Sequence, residues 1–242
     1  MEKQYKVLVI IPAYNESENI ERVVDNLTAN FSQYDYVVVN DCSKDDTEQI
    51  CRRRGYNYIS FPVNLGIGGG VQCGYLYAVQ NDYDYAVQMD GDGQHNPEYI
   101  AKLLEPLIKD ELDMAVGSRF IERQGFQTSF MRRFGINIIR GVIKLSCGLT
   151  MTDTTSGFRA TNKEANLLFS NDYAHDYPEP EAIVTAKLSG LRVGDVPVIM
   201  EERQGGVSSI NTMRSVYYMI KVTLAILICR LSIKRIKRRG NK

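Results

Sequence analysis

The stretch from Tyr5 to Ile11 is β-branched and almost uninterruptedly apolar, the pattern of a central parallel strand covered on both faces. A strand of this kind needs helices on either side of its sheet, and the following residues supply the rhythm. Pro12 is expected to end the strand, and Asn15 to cap a helix from about Ser17 to Asn30, with Glu18 in a capping-box position. Tyr36 to Val39 reads as a second strand, leading through Asn40-Asp41-Cys42-Ser43 to a helix from Asp45 to about Arg54. Tyr56 to Phe61 reads as a third, followed by Pro62, the glycine-rich run Gly66 to Gly70 and a helix to about Gln80. Tyr85 to Met89 makes the fourth. Three strand–helix units predict a doubly wound, Rossmann-like α/β half, whose ligands sit beyond the C-terminal strand ends. A chain of 242 residues suits one large domain of this class.

The fourth strand runs into Asp90-Gly91-Asp92-Gly93-Gln94-His95. Two carboxylates one residue apart, at a strand tip, can share a divalent cation and leave coordination positions open for phosphate oxygens. Oxygen donors select Mg2+ or Mn2+. An ordinary acidic turn accounts for the stretch taken alone. An EF-hand does not, because Gln94, His95 and Ala101 stand where that loop needs a further Asp or Asn, a Gly and a Glu. Asp41, with Asn15 and Glu16, lines the same predicted crevice and suits a nucleoside's N–H or ribose hydroxyls, although capping and turn chemistry also use these residue types. The glycine cluster lacks the last glycine of a dinucleotide fingerprint and follows the third strand, which excludes a nicotinamide or flavin enzyme. Gly68 and its neighbours can instead bring helix N–H groups close to a nucleotide or its diphosphate.

Beyond a helix from Pro97 to about Lys109, the strand Met114 to Val116 ends in Gly117-Ser118-Arg119, whose planar guanidinium suits phosphate oxygens. Arg132 and Arg133 are further phosphate candidates or simply solvated charges before the apolar stretch Ile136 to Leu145. Asp153-Thr154-Thr155-Ser156-Gly157-Phe158-Arg159 is polar and unlike a core strand, and Asp153 is placed as a base or a sugar-hydroxyl ligand. Glu179 and Glu181 are alternative bases for a hydroxyl acceptor, although they lie near a helix start, where the macrodipole alone favours carboxylates. His175 reads as a loop histidine. After the β-like run Val193 to Met200, the segment Arg203 to Ser209 forms a glycine-rich loop with one arginine and two hydroxyls, suited to folding over a bound diphosphate.

The formal net charge of zero conceals an asymmetry: nine basic and no acidic residues from Arg214 onward, against 20 basic and 29 acidic before it. An acidic body argues against nucleic-acid binding, while a basic tail beside apolar residues suits an anionic membrane surface. Lys221 and Arg230 leave too short an apolar run to span a bilayer, so we expect an amphipathic helix at the interface. Residues 211–235 suit a second copy of the chain or a small membrane-protein partner as well. Five widely spaced cysteines with no CxxC pair point to a reducing compartment, and the N-terminus has no signal-peptide core. The expected location is cytoplasmic, peripheral on the inner face of the cell membrane.

Taken in order, Ile11 to Glu16, Asn40 to Thr47, Asn64 to Gly69, Met89 to Gln94, Gly117 to Arg119, Thr155 to Arg159 and Arg203 to Ser209 resemble a family 2 glycosyltransferase of GT-A fold. The similarity is to the dolichyl-phosphate mannose synthase-like, or polyprenyl-phosphate glycosyltransferase, branch. It implies a three-layer fold with a mainly parallel sheet over residues 1–210, while the apolar and basic composition of 211–242 reads as a C-terminal helix for membrane-surface or oligomer contact. It also implies that Pro12, Tyr14, Glu16 and Asp41 hold the nucleoside and that Asp90, Asp92 and Gln94 bind the metal and donor diphosphate. Arg119 and Arg203 would contact phosphates, and Ser209 would close the loop. Cys42 stands where a glycine is more typical, and Gly206 to Ser209 lacks the Ser-Lys that synthases often carry, which argues against mannose.

The reading is therefore an inverting, metal-dependent transferase, with UDP-glucose favoured as donor and undecaprenyl phosphate as acceptor, acting in cell-surface glycan synthesis. The alternatives are transfer to a polysaccharide hydroxyl and a non-catalytic nucleotide-sugar sensor.

Overall fold

The computed structural model describes residues 5–122, 130–175, 177–201 and 219–231. In chain order the elements are β1 (Val7–Ala13), α1 (Ile20–Asn30), β2 (Asp35–Asn40), α2 (Thr47–Arg54), β3 (Tyr58–Ser60), α3 (Gly66–Gln80) and β4 (Tyr85–Gln88). They continue with α4 (Ile100–Ile108), β5 (Met114–Ser118), α5 (Phe130–Cys147), β6 (Arg159–Asn162), α6 (Lys163–Asn171), α7 (Pro178–Ser189) and β7 (Val193–Pro197). Residues 219–231 are helical.

One seven-stranded sheet has the order β3-β2-β1-β4-β6-β5-β7. Its pairings are parallel except those of β6, which runs antiparallel to both β4 and β5. The alternation of β1 explains the layering. Leu8 and Ile10 face a core shared with α3, α5, α6, α7 and the 219–231 helix, while Val7, Val9 and Ile11 face one shared with α1, α2 and α4. Every residue of β1 is buried, as a strand with two covered faces requires.

Three local expectations are revised. Pro12 does not end β1, which pairs on through Pro12↔Val39 and Ala13↔Asn40. The carbonyl of Pro12 accepts from Gly91 on the β4 side, beyond the last β1–β4 pair, so the missing proline N–H costs no ladder bond. Asn15 does not cap α1. It sits at φ 57°, and Asn19 is the N-cap residue. The polar segment after Asp153 leads straight into β6, a buried strand in mid-sheet.

The 219–231 helix is joined to the body by packing: Val222 and Ile226 are fully buried, and Arg230 Nη1 donates to the Leu145 carbonyl at 2.9 Å. Its other face leaves Ile220, Leu224, Leu227, Ile228 and Leu231 exposed. No helix among the described residues is long and apolar enough to cross a membrane.

Close approach of α3 to β1 sets the width of the crevice between them. A Cβ on Gly74 would lie 2.2 Å from Ile10 Cγ2. Gly→Ala within a helix ordinarily gains up to about 1 kcal/mol. Here overpacking of the core reverses the sign, and we expect Gly74→Ala to lose about 1–3 kcal/mol, seen as a melting temperature lower by several degrees.

Candidate active site

Four strand-end loops converge on a cleft of about 310 Å³. The β1–α1 loop brings Pro12, Tyr14 and Glu16, the β2–α2 loop Asp41, the start of α3 Gly66, Ile67 and Gly70, and the turn after β4 Asp90, Gly91 and Asp92. Side chain-to-backbone bonds hold the first two loops together. Asn15 Oδ1 accepts from Lys44 N at 2.8 Å, Glu16 N donates to Thr47 Oγ1 at 2.9 Å, and Ser17 N donates to Asp45 Oδ2 at 3.0 Å. Asp41 Oδ1 accepts from Leu65 N at 2.6 Å, fixing the third loop to the second. Cys42 adopts φ 56°, the left-handed region that glycine occupies without strain, which explains why glycine suits this position.

The cleft is acidic. Its lining contains four carboxylates (Glu16, Asp41, Asp90 and Asp92) and, among the described residues, no lysine or arginine. Such a lining repels a bare phosphate, and neighbouring carboxylates are oxygen donors of the kind that suit Mg2+ or Mn2+. The amino end of α3, 15 residues long, adds a favourable partial charge for a phosphate at the same opening.

Asp90 is held from several sides. Its Oδ1 accepts from Gln88 Nε2 at 3.2 Å, and its backbone N donates to His95 Nδ1 at 3.0 Å. Because Nδ1 accepts, the imidazole proton lies on Nε2, which is 3.9 Å from Asp90 Oδ2. The His95 ring stacks on Phe158 with centroids 4.9 Å apart, so it is locked in place. Gly157 lies against the carboxylate: a Cβ there would be 2.8 Å from Asp90 Oδ2. Asp92 Oδ1 accepts from Gln94 N at 3.0 Å.

A larger cavity of about 620 Å³ opens behind the same turn, between Arg22 and Asn26 of α1 and His95 and Glu98. Neither Asp90 nor Asp92 lines it.

A glycosyl transferase family 2 model matches residues 8–168. The chain is a family 2 glycosyltransferase. It is 33% identical over 215 residues to a UDP-N-acetylglucosamine–dolichyl-phosphate N-acetylglucosaminyltransferase of Methanococcus voltae, covering 79% of this chain and 84% of the relative. It is 30% identical over 216 residues to an undecaprenyl-phosphate mannosyltransferase of Micrococcus luteus, covering 85% and 88%. These relatives match the polyprenyl-phosphate branch. Glucosyl-3-phosphoglycerate synthase from Mycobacterium tuberculosis, solved with Mn2+, UDP-glucose and phosphoglyceric acid, superposes with a TM-score of 0.70 over 93% of this chain and 79% of that one. At 20% identity this is a likeness of fold.

In this glycosyltransferase the cleft gathers Pro12, Tyr14, Glu16, Asp41, Asp90 and Asp92 as the sequence predicts, but other candidates lie elsewhere. Gly68 lies outside the cleft lining. It packs beneath the backbone of residues 174–175, where a Cβ would come within 2.1 Å of the Ala174 carbonyl oxygen. Gln94 lies outside the cleft lining, and its Nε2 reaches the Glu201 carbonyl at 3.4 Å. Arg119 is not an open phosphate fork, nor Asp153 an available base. Arg119 Nε and Asp153 Oδ2 are 2.6 Å apart, with Asp153 fully buried and Arg119 nearly so. Asp153 also accepts from Thr155 N and Oγ1. Arg133 is exposed and lies 5.6 Å from the Phe120 ring centroid, the ring Arg119 also approaches. The Arg132 side chain, Arg203 and Ser209 lie outside the described residues. His95 and Gly157 went unassigned in the sequence because their roles depend on strands that are distant in the chain.

Breaking the Arg119–Asp153 pair leaves a buried charge without its counterion, which typically costs about 3–5 kcal/mol. We therefore expect Asp153→Ala to lower the urea midpoint sharply. A stable Asp153→Ala protein with only its turnover abolished would return Asp153 to the role of base.

Proposed function

We propose that this glycosyltransferase moves a hexose from a UDP-sugar, UDP-glucose being favoured, to a polyprenyl phosphate such as undecaprenyl phosphate, with inversion and with Mg2+ or Mn2+. The observation that carries this reading is the convergence of Asp90 and Asp92 with Glu16 and Asp41 in one cleft. Asp41 and Glu16 take the nucleoside, with Pro12 and Tyr14 as its walls. Asp90 and Asp92 hold the cation. When bound, that cation offsets the negative charge that develops on the departing diphosphate.

The surroundings of Asp153 support an ionised acceptor. Transfer to a hydroxyl needs a carboxylate free to take its proton. Asp153, a candidate for that task, is sequestered by Arg119, which supports an acceptor that is already ionised. A phosphate oxygen attacks the anomeric carbon from the face opposite UDP, and the sugar–phosphate bond breaks as the new one forms. Arg133 and Arg203 are the arginines proposed to receive the acceptor phosphate.

The lipid is met at a bilayer. We assign that contact to the exposed row Ile220, Leu224, Leu227, Ile228 and Leu231, next to the basic run Lys234 to Arg239, on the cytoplasmic membrane face. The catalytic unit is residues 1–210, and 211–242 serves this attachment.

Incubation with undecaprenyl phosphate, Mn2+ and a panel of UDP-glucose, UDP-N-acetylglucosamine and GDP-mannose, read as sugar–lipid product, tests donor and acceptor together. Asp90→Ala and Asp92→Ala should each reduce kcat/KM by about 100-fold or more, and chelation should abolish turnover. Folded variants with undiminished turnover would refute the assignment. For the membrane face, a fully buried Leu or Ile contributes about 1.5–3 kcal/mol. Leu224→Glu with Ile228→Glu should thus weaken flotation with anionic vesicles by at least about tenfold while leaving the melting temperature nearly unchanged.

A further inference from the structure

Arg159 is fully buried at the start of β6, paired with Gln88 of β4 on one side and Val116 of β5 on the other. Its hydrogen bonds go to backbone carbonyls. Nη2 donates to Ser156 O at 2.5 Å, and Nη1 and Nη2 approach Glu179 O at 3.4 and 3.5 Å. Nε has no hydrogen-bond partner among the described residues, and the nearby hydroxyl of Tyr173 is likewise buried without one. Burial is the main influence raising the pKa of Tyr75 and Tyr173, and the charge of Arg159 is the largest opposing one. Compare Arg119, whose buried charge is matched by a carboxylate. Burying a guanidinium on carbonyls alone is costly, so its location calls for a reason beyond packing.

The reason lies three residues back. The Ser156 carbonyl that Arg159 grips belongs to the peptide leading into Gly157, and Gly157 is the residue pressed against both Asp90 carboxylate oxygens. A Cβ at Gly157 would also lie 3.0 Å from Gln88 Nε2, the group that donates to Asp90 Oδ1. Arg159, Ser156, Gly157, Gln88 and Asp90 therefore form one contiguous path across two neighbouring strands. The second grip, on Glu179 O, ties this path to the first turn of α7.

We propose that Arg159 is a positioning residue for the cation-holding carboxylate: by clamping the Ser156 carbonyl it keeps Gly157 in place as the wall that sets the direction of Asp90. It touches neither donor nor acceptor and acts through Asp90. This rests on the metal role given to Asp90 above, and the test separates the two claims.

Mn2+ affinity is measured directly, by electron paramagnetic resonance with UDP present, so that no turnover is needed. The proteins are wild type, Asp90→Ala, Arg159→Met, Arg159→Lys, Gly157→Ala and the Arg159→Met, Asp90→Ala double variant, each checked for folding by circular dichroism. Arg159→Met should weaken Mn2+ binding about tenfold, Arg159→Lys by less, and Gly157→Ala comparably to Arg159→Met with Arg159 intact. In the double variant the losses should not add, because both act on one carboxylate. A folded Arg159→Met protein that binds Mn2+ as wild type does, or additive losses, would overturn the proposal. Should Arg159→Met not fold, wild-type Mn2+ affinity in Arg159→Lys overturns it, and failure of both to fold makes Arg159 a determinant of folding only. Wild-type Mn2+ affinity in Asp90→Ala would instead remove the metal role itself.

Discussion

Repulsion among carboxylates governs this active site. Glu16, Asp41, Asp90 and Asp92 meet in one small cleft, and no lysine or arginine of the described lining offsets them. Such a group is unfavourable without a ligand that brings positive charge, and it is hostile to a bare diphosphate. The same arrangement becomes favourable when cation and diphosphate enter together. The protein therefore invests in holding the loops still. Asn15, Asp45, Thr47 and Asp41 spend their polar atoms on neighbouring backbone N–H groups, so the cleft does not need a ligand to gather its walls.

Two buried arginines show two ways of handling charge. Arg119 is neutralised by Asp153, and the pair anchors the end of β5 to the loop that precedes β6. Arg159 instead directs its donors to backbone carbonyls near the Asp90 turn. The first arrangement withdraws a plausible base from the chemistry, and with it one route to a hydroxyl acceptor.

Much of the architecture could be read in advance. The runs Val7 to Ile11 of β1, Val37 to Val39 of β2 and Tyr85 to Val87 of β4 are buried, so they are apolar and legible. β6 was not, because Arg159-Ala160-Thr161-Asn162 carries polar side chains whose partners come from the other strands and helices around it. Pro12 misled for a related reason: whether a proline interrupts a strand depends on which neighbour its nitrogen faces. Gly68 and Gly157 are both glycines of close approach. One meets the 174–175 backbone and the other a carboxylate 67 residues earlier in the chain, and nothing local distinguishes them.

The α/β class, the family and the run of carboxylates that meet in one cleft are written in the sequence alone. These properties live in short contiguous runs: apolar strands, the turns at their ends, and two acids one residue apart. Tertiary structure alone decided which charged residues remain available. Arg119 and Asp153 are 34 positions apart and each looks like a catalytic group until β5 and the loop before β6 bring them to 2.6 Å. Mutual neutralisation is a property of distance, and distance between remote segments is set by packing.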